Sequence, residues 1–199
     1  MKVLAVNSSG RSSQHSVSRQ LVDALIEKLG SHHRDLNVTY RNVAEGLPLV
    51  HESWIEAMYT PADRRTPEQN QLLAFSDELV DELDEQDVLI LGAPMYNFNV
   101  SASLKAYIDL ICRIGLTFKF SAETGLEGLL KGKKAYIVFT SGVVEAGSTQ
   151  DLVTPYLKLV LAFIGITETE IIGAGSLKLL GNSPIKAALE AIDNIYETA

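Results

Sequence analysis

Val88-Leu89-Ile90-Leu91-Gly92-Ala93-Pro94-Met95-Tyr96-Asn97-Phe98-Asn99 is the stretch that decides the fold. Its first four residues are apolar without alternation, which marks a strand buried on both faces, and such strands belong to parallel sheets covered by helices. Helical patterns should therefore flank it. On the N-terminal side, Thr66-Pro67-Glu68-Gln69 combines a capping threonine, a proline at the first helical position and the glutamine of a capping box. Leu72, Phe75, Leu79 and Leu83 follow as the expected buried stripe. On the C-terminal side, Leu104, Ile108 and Ile111 stripe another helix, leaving Tyr107 to face outward toward a partner.

The alternation continues to both ends of the chain. Val3 to Val6 is a second all-apolar run, followed by a polar loop from Asn7 to His15 and a helix striped by Leu21, Val22, Leu25, Ile26 and Leu29, with Gly30 as its C-cap. Val38 and Tyr40 alternate with polar residues. Residues 44–65 form an insertion in which Trp54, Met58 and Tyr59 suit a short amphipathic helix. Ala135 to Phe139 is a third apolar run, Leu157, Val160, Leu161 and Ile164 stripe the next helix, and Glu168 to Ile172 mixes polar with apolar positions. The last helix starts at Ser183-Pro184 and carries Ile185, Leu189, Ile192 and Tyr196. Five strands alternating with helices predict an α/β fold with a doubly wound parallel sheet. The runs apolar on both faces belong at its centre and the two mixed ones at its edges, which gives the flavodoxin-like order 2-1-3-4-5 in one domain spanning residues 1–199.

Composition narrows the function classes. A formal net charge of −8 argues against nucleic acid or an anionic membrane surface, either of which would require clustered Lys and Arg. No apolar run approaches the ~18 residues of a membrane span, and no signal peptide opens the chain. Cys112 is the sole cysteine, so no intrachain disulfide forms and the cytoplasm is the expected compartment. Its apolar neighbours suit a packed thiol. His15, His32, His33 and His51 have no metal-ligand spacing, so no metal site is expected.

In an open parallel sheet, ligands bind beyond the carboxyl ends of the strands, where the strand order reverses. Three loops lie there. The first carries Ser8, Ser9, Gly10, Ser12, Ser13, Ser16 and Ser18 directly before a helix. Its hydroxyls and the free N–H groups of the helix start can cradle a phosphate, or a single serine can simply cap the helix. The loop lacks the Gly-Lys-Ser/Thr ending of a triphosphate loop, and Gly173-Ala174-Gly175 lacks the third glycine of a dinucleotide fingerprint, so a monophosphate is favoured. The second loop offers Tyr96 and Phe98 to stack on a planar ring, and Asn97 and Asn99 to hydrogen-bond its edge, unless the rings fold back into the core. The third, Ser141-Gly142-Val143-Val144, allows close backbone approach, and its N–H groups could face negative charge on a reduced ring.

Three segments, Ala93-Pro94-Met95-Tyr96-Asn97-Phe98, Leu104-Lys105-x-Tyr107-Ile108-Asp109 and Gly115-x-Thr117-Phe118, resemble the bacterial FMN-dependent NADH-azoreductase/NADH:quinone oxidoreductase family. The resemblance continues through Gly128-Leu129, Gly132-Lys133-Lys134, Asp151 to Leu157 and Phe163-Ile164-Gly165-Ile166. It implies a flavodoxin-like homodimer with FMN at each of its active sites, which lie between the subunits. It also implies two-electron transfer from NADH or NADPH to a quinone or azo acceptor in a ping-pong cycle, with the flavin carrying the chemistry and no obligatory catalytic side chain. Carried over by motif, Ser9, Ser16, Val17 and Ser18 would hold the phosphate end, and Met95, Tyr96, Asn97 and Phe98 the ring. Ser141, Gly142 and Val143 occupy the remaining contact, while Phe120 and Phe163 would wall the acceptor slot. One departure stands out: the family's Ser-Arg-Gly-Gly loop is here Ser141-Gly142-Val143, with the arginine absent and one position deleted. The alternative reading of the same fold is a flavodoxin-like electron carrier.

Overall fold

The computed structural model describes residues 1–123 and 125–197, and residues 124, 198 and 199 of the expected unit lie outside these. The strands are β1 (Lys2–Asn7), β2 (Asn37–Asn42), β3 (Val88–Pro94), β4 (Phe118–Ser121), β5 (Gly125–Gly128), β6 (Lys134–Thr140) and β7 (Glu168–Ala174). The helices are α1 (Val17–His32), α2 (Glu52–Tyr59), α3 (Pro67–Asp84), α4 (Ala102–Ile111), α5 (Val153–Ile164), α6 (Leu177–Leu180) and α7 (Ser183–Asp193). Five strands form a parallel sheet in the order β2-β1-β3-β6-β7, which is the expected 2-1-3-4-5 once the separate β4–β5 hairpin is set aside.

Side-chain alternation along the central strands builds a core on each face of the sheet. Leu4, Val6, Leu89, Leu91, Ile137 and Phe139 pack with residues of α3, α4 and α5, whereas Val3, Ala5, Ile90 and Val138 pack with α1 and α7. All of β3 is buried, while the edge strand β2 is partly exposed throughout. The reversal of strand order therefore falls between β1 and β3, and the carboxyl ends of β1, β3 and β6 stand side by side there.

The capping box at the start of α3 forms as expected: Thr66 Oγ1 accepts from the Gln69 N–H, and Gln69 Oε1 accepts from the Thr66 N–H. The buried stripe of this helix differs from the sequence reading. Leu73, Ser76, Leu79, Val80 and Leu83 are buried, and Leu72 faces solvent. A serine inside the stripe hides it from a hydrophobic count, and Ser76 is tolerated there because its hydroxyl donates to the Leu110 carbonyl and accepts from the buried Arg113. The last helix likewise buries Ala188 and Ile192 but leaves Leu189 exposed. Helix α1 continues through Gly30 to His32, so Gly30 is not its cap.

Tyr107 corrects a further expectation. It is fully buried against Leu89, Leu91 and α5, and cannot face a partner. Six of the ten residues of α4 are buried, the state expected of a helix apolar on most of its circumference. Burial also pushes the Tyr107 hydroxyl above its ordinary pKa. Met58 and Trp54 pack from the helix in the insertion, as expected, but Tyr59 is exposed. The hairpin has no counterpart in the sequence reading. It docks where Gly128 meets Gly165 so closely that a Cβ on Gly128 would overlap the Gly165 backbone, and Gly165 itself has φ 108°.

Candidate functional site

Three loops at the carboxyl ends of β1, β3 and β6 enclose one cavity of about 500 Å³, a volume in the range of small-molecule and cofactor sites. Ser9, Ser16, Val17, Ser18, Met95, Tyr96, Asn97, Phe98, Ser141, Gly142 and Val143 all line it. Phe120 and Phe163 do not. Phe120 stands exposed on the hairpin, and Phe163 packs its ring 4.5 Å from that of Phe118.

The β1 loop forms the cradle end. Ser8 fastens it to the sheet by donating to the Gly92 carbonyl at 2.7 Å. Arg19 holds it from the other side, donating 2.9 Å to the Ser9 carbonyl and 2.7 Å to Asn42 Oδ1. Ser16 caps α1, its hydroxyl accepting from the Arg19 N–H, and lies 3.1 Å from the Ser18 hydroxyl. Capping and cavity lining thus coincide in one serine. The Val17 and Ser18 N–H groups belong to the first turn, where a helix leaves its amides without internal partners, so a 16-residue helix opens onto the cavity. Arg11 and His15 line the same end, with His15 Nδ1 2.9 Å from the Ser12 hydroxyl.

The β3 loop is a tight turn. Tyr96 and Asn99 exchange backbone hydrogen bonds of 2.8 and 3.1 Å around Asn97 and Phe98, whose φ angles are 51° and 68°. Two consecutive positive φ angles are the pattern of a type I′ turn, where glycine is the low-energy choice for the second residue. Phe98 occupies that position with its ring half-exposed, and Tyr96 is 40% exposed, so neither ring folds back into the core. Tyr96 instead joins two loops: its hydroxyl accepts from the Gly10 N–H at 3.1 Å. Asn97 lines the cavity, whereas Asn99 turns its side-chain oxygen to the Val100 N–H.

The β6 loop is held from within by Ser141, whose hydroxyl accepts from the Val144 N–H at 2.8 Å and donates to the Val144 carbonyl. Among the described residues the Gly142 and Val143 N–H groups have no acceptor. The end of β7 approaches this loop at Gly175, where a Cβ would collide with the Val144 carbonyl. Gly142 makes no such backbone approach; a side chain there would meet Lys178. Pro94 and Val144 of the second and third loops line it too, and so do Arg11, His15, Thr140, Leu177 and Lys178, which the sequence did not single out as site residues, although Arg11 and His15 belong to the first loop. Among the described residues no carboxylate lines the cavity, in a chain of net charge −8. A site with free helix amides and Arg11 at one end and aromatic rings beside them suits a planar ligand with an anionic tail.

Comparisons with known proteins agree with this geometry. Residues 1–198 match the family described as flavodoxin-like fold. The chain is 43% identical over 198 residues to FMN-dependent NADH:quinone oxidoreductase 1 of Hahella chejuensis, covering 100% of this chain and 96% of the relative. It is 45% identical over 197 residues to FMN-dependent NADH:quinone oxidoreductase of Thiobacillus denitrificans, covering 99% and 95%. Among solved structures, azoreductase from Bacillus anthracis superposes with a TM-score of 0.89 at 25% identity, covering 98% of each chain. An FMN-dependent NADH-azoreductase of the same species, in complex with FMN, superposes at 0.86 with 21% identity and 98% and 97% coverage, which supports the fold.

Proposed function

This chain belongs to the flavodoxin-like-fold family shared with those FMN-dependent NADH:quinone oxidoreductases, and from that premise we propose that it binds FMN and reduces quinones, and azo compounds, with NADH or NADPH as donor. The observation that carries this reading is the cavity itself. Its cradle of serine hydroxyls and α1 amides fits a phosphate, and its aromatic turn fits a planar ring. Ser9, Ser16, Val17 and Ser18 would hold the phosphate, while Met95, Tyr96, Asn97 and Phe98 would hold the ring and fix its plane. The free N–H groups of Gly142 and Val143 would meet negative charge at the far side.

When bound, FMN supplies the two-electron chemistry, and the protein supplies position, shielding and charge. No carboxylate or histidine need act as an acid or base. The open face of the cavity serves donor and acceptor in turn, which is the physical basis for a ping-pong order and broad acceptor tolerance. Heat-released chromophore running as FMN, followed by anaerobic bleaching with NADH and recovery on quinone addition, tests the assignment. Stoichiometric FAD, or a colourless protein, would sink it.

One chain leaves that face uncovered, with Phe98 and Val143 each at least half-exposed beside it. Phe120 and Leu126 pair across the hairpin and stand exposed at 64% and 62%. A homodimer in which the partner's hairpin covers the cavity would exclude water from the reacting ring and bring Phe120 and Phe163 to the acceptor slot. Activity per flavin should then fall on dilution in step with the dimer fraction seen by sedimentation. Full activity in a monomeric sample would refute the shared site.

A further inference from the structure

Lys178 stands at the cavity wall, which no carboxylate lines among the described residues. Three successive amides at the start of α6 fasten it to the β6 loop: Ser176 N–H to the Val144 carbonyl and Leu177 N–H to that of Ser141, both at 3.1 Å, and Lys178 N–H to that of Gly142 at 2.7 Å. Ser176 is held at φ 55°, a left-handed conformation unfavourable for a serine and kept only where surrounding bonds over-determine it. The Lys178 stem lies across Gly142, where a Cβ would come within 3.3 Å of Cδ and 3.4 Å of Cε. It fills the side-chain space missing at residue 142 and carries an ammonium to the loop whose Gly142 and Val143 amides have no acceptor. Among the described residues that ammonium makes no ion pair.

Its place along the sheet edge separates it from the phosphate cradle. The cradle lies at the end of β1 and the Lys178 loop at the end of β6, with β3 between them. That is two strand spacings, about 10 Å, so Arg11 and His15 serve one end and Lys178 the other.

We propose that Lys178 provides the cation that balances the negative charge of reduced FMN, at the loop whose Gly142 and Val143 amides are free. The inference rests on the FMN reading of the cavity. Oxidation of NADH to NAD+ delivers two electrons and one proton to the ring and leaves one uncompensated negative charge. The Lys178 ammonium compensates it across space and keeps its own protons. Lys178 therefore favours the reduced over the oxidised cofactor and raises the two-electron potential.

Holoprotein carrying Lys178→Met, which keeps the stem over Gly142 and removes the charge, tests this against Lys178→Arg, which keeps both. Lys178 is exposed, so neither change disturbs the core. The expected result for Lys178→Met is an approximately tenfold loss in the preference for reduced over oxidised FMN, read as a midpoint potential about 30 mV more negative. The arginine variant should stay near the parent, and the difference should shrink at high salt. An unchanged potential in FMN-loaded Lys178→Met overturns the inference; if the KM for NADH rises at the same time, Lys178 belongs to the nucleotide instead. Failure of the parent protein to bind FMN would overturn the underlying reading, and it shows before any variant is compared.

Discussion

Phe98→Gly should leave the empty protein as stable as the parent or slightly more so, while weakening FMN binding severely. Phe98 has φ 68°, and a left-handed conformation costs an L-residue about 1–2 kcal/mol. Glycine removes that cost but adds about 0.5–1 kcal/mol of backbone entropy lost on folding. The ring contributes little to the fold, because half of it is exposed. The net change in stability is thus between zero and a gain of about 1.5 kcal/mol. Binding responds the other way. Half of a phenylalanine surface of roughly 200 Å² is about 100 Å² open to a ligand, worth about 2.5 kcal/mol at ~25 cal/mol/Å². That is roughly seventyfold in Kd. Urea unfolding of the apoprotein and fluorescence quenching on FMN titration measure the two effects separately. Phe98→Ala is the control, since it loses the ring and keeps the strain. Phe98→Gly with unchanged FMN affinity and a loss of more than about 1 kcal/mol in stability would refute the reasoning, and would return Phe98 to the role of a packing residue.

Replacing Ser16 and Ser18 together with Ala should weaken FMN binding by at least about a hundredfold, since each bond to a charged group is worth about 1.5–3 kcal/mol. Loss of the Ser16 cap should also cost about 1 kcal/mol of stability, and unchanged FMN affinity would leave both serines a structural role alone. Burial raises the pKa of Asp151, but hydrogen bonds from Gly147 N–H, the Thr154 hydroxyl and the Thr154 and Val153 N–H groups outweigh it, so its pKa lies below the usual 3.8. A depressed folded pKa gives stability that is present above 3.8 and lost as pH falls through the folded value, so Asp151→Asn should be about 2 kcal/mol less stable at pH 7, with the gap closing in acid. An Asp151→Asn gap that persists at pH 2 would show that charge is not the cause. Cys112, whose thiol burial pushes up to about 12, should resist maleimide at pH 7.5 in native protein and react at once when unfolded.

The parts of the fold that were legible in the sequence are those fixed by burial on two faces. Val3 to Val6, Val88 to Leu91 and Ala135 to Phe139 are apolar at every position because helices cover both sides, and that alone assigns them to the centre. The hairpin leaves little trace in the sequence because its strands are four residues each and two of its apolar residues, Phe120 and Leu126, point into solvent. Tyr107 is buried against its local pattern for a different reason. Aromatic residues with a hydroxyl suit a surface, but α4 is enclosed on nearly every side, and no local pattern reports how many neighbours a helix will have. The cradle and the aromatic turn were legible because strand order alone places their loops side by side. Lys178 was not, since its position depends on three backbone bonds between segments more than thirty residues apart.

The cavity is also where local preference and structure disagree. Asn97, Phe98 and Ser176 are the non-glycine residues with positive φ among those described, and all three lie in the segments that build its walls. Elsewhere the chain follows its propensities: a capping box opens α3, a left-handed glycine ends α5, and apolar strands fill the centre of the sheet. A chain that satisfies local rules throughout and breaks them around one cavity concentrates its strain where it gains something other than stability. At Phe98 the gain is an aromatic face held at a position glycine would occupy at lower energy. At Ser176 it is the sharp entry into α6 that lays Lys178 over Gly142. Replacing Phe98 with Gly relieves the first strain and takes the ring with it, so ring binding should weaken without the protein unfolding. Relieving the second with Ser176→Gly should preserve the turn and leave the potential unchanged, because the cation and its three anchoring amides remain. The two sites of strain thus act through different groups, a ring at one and a charge at the other.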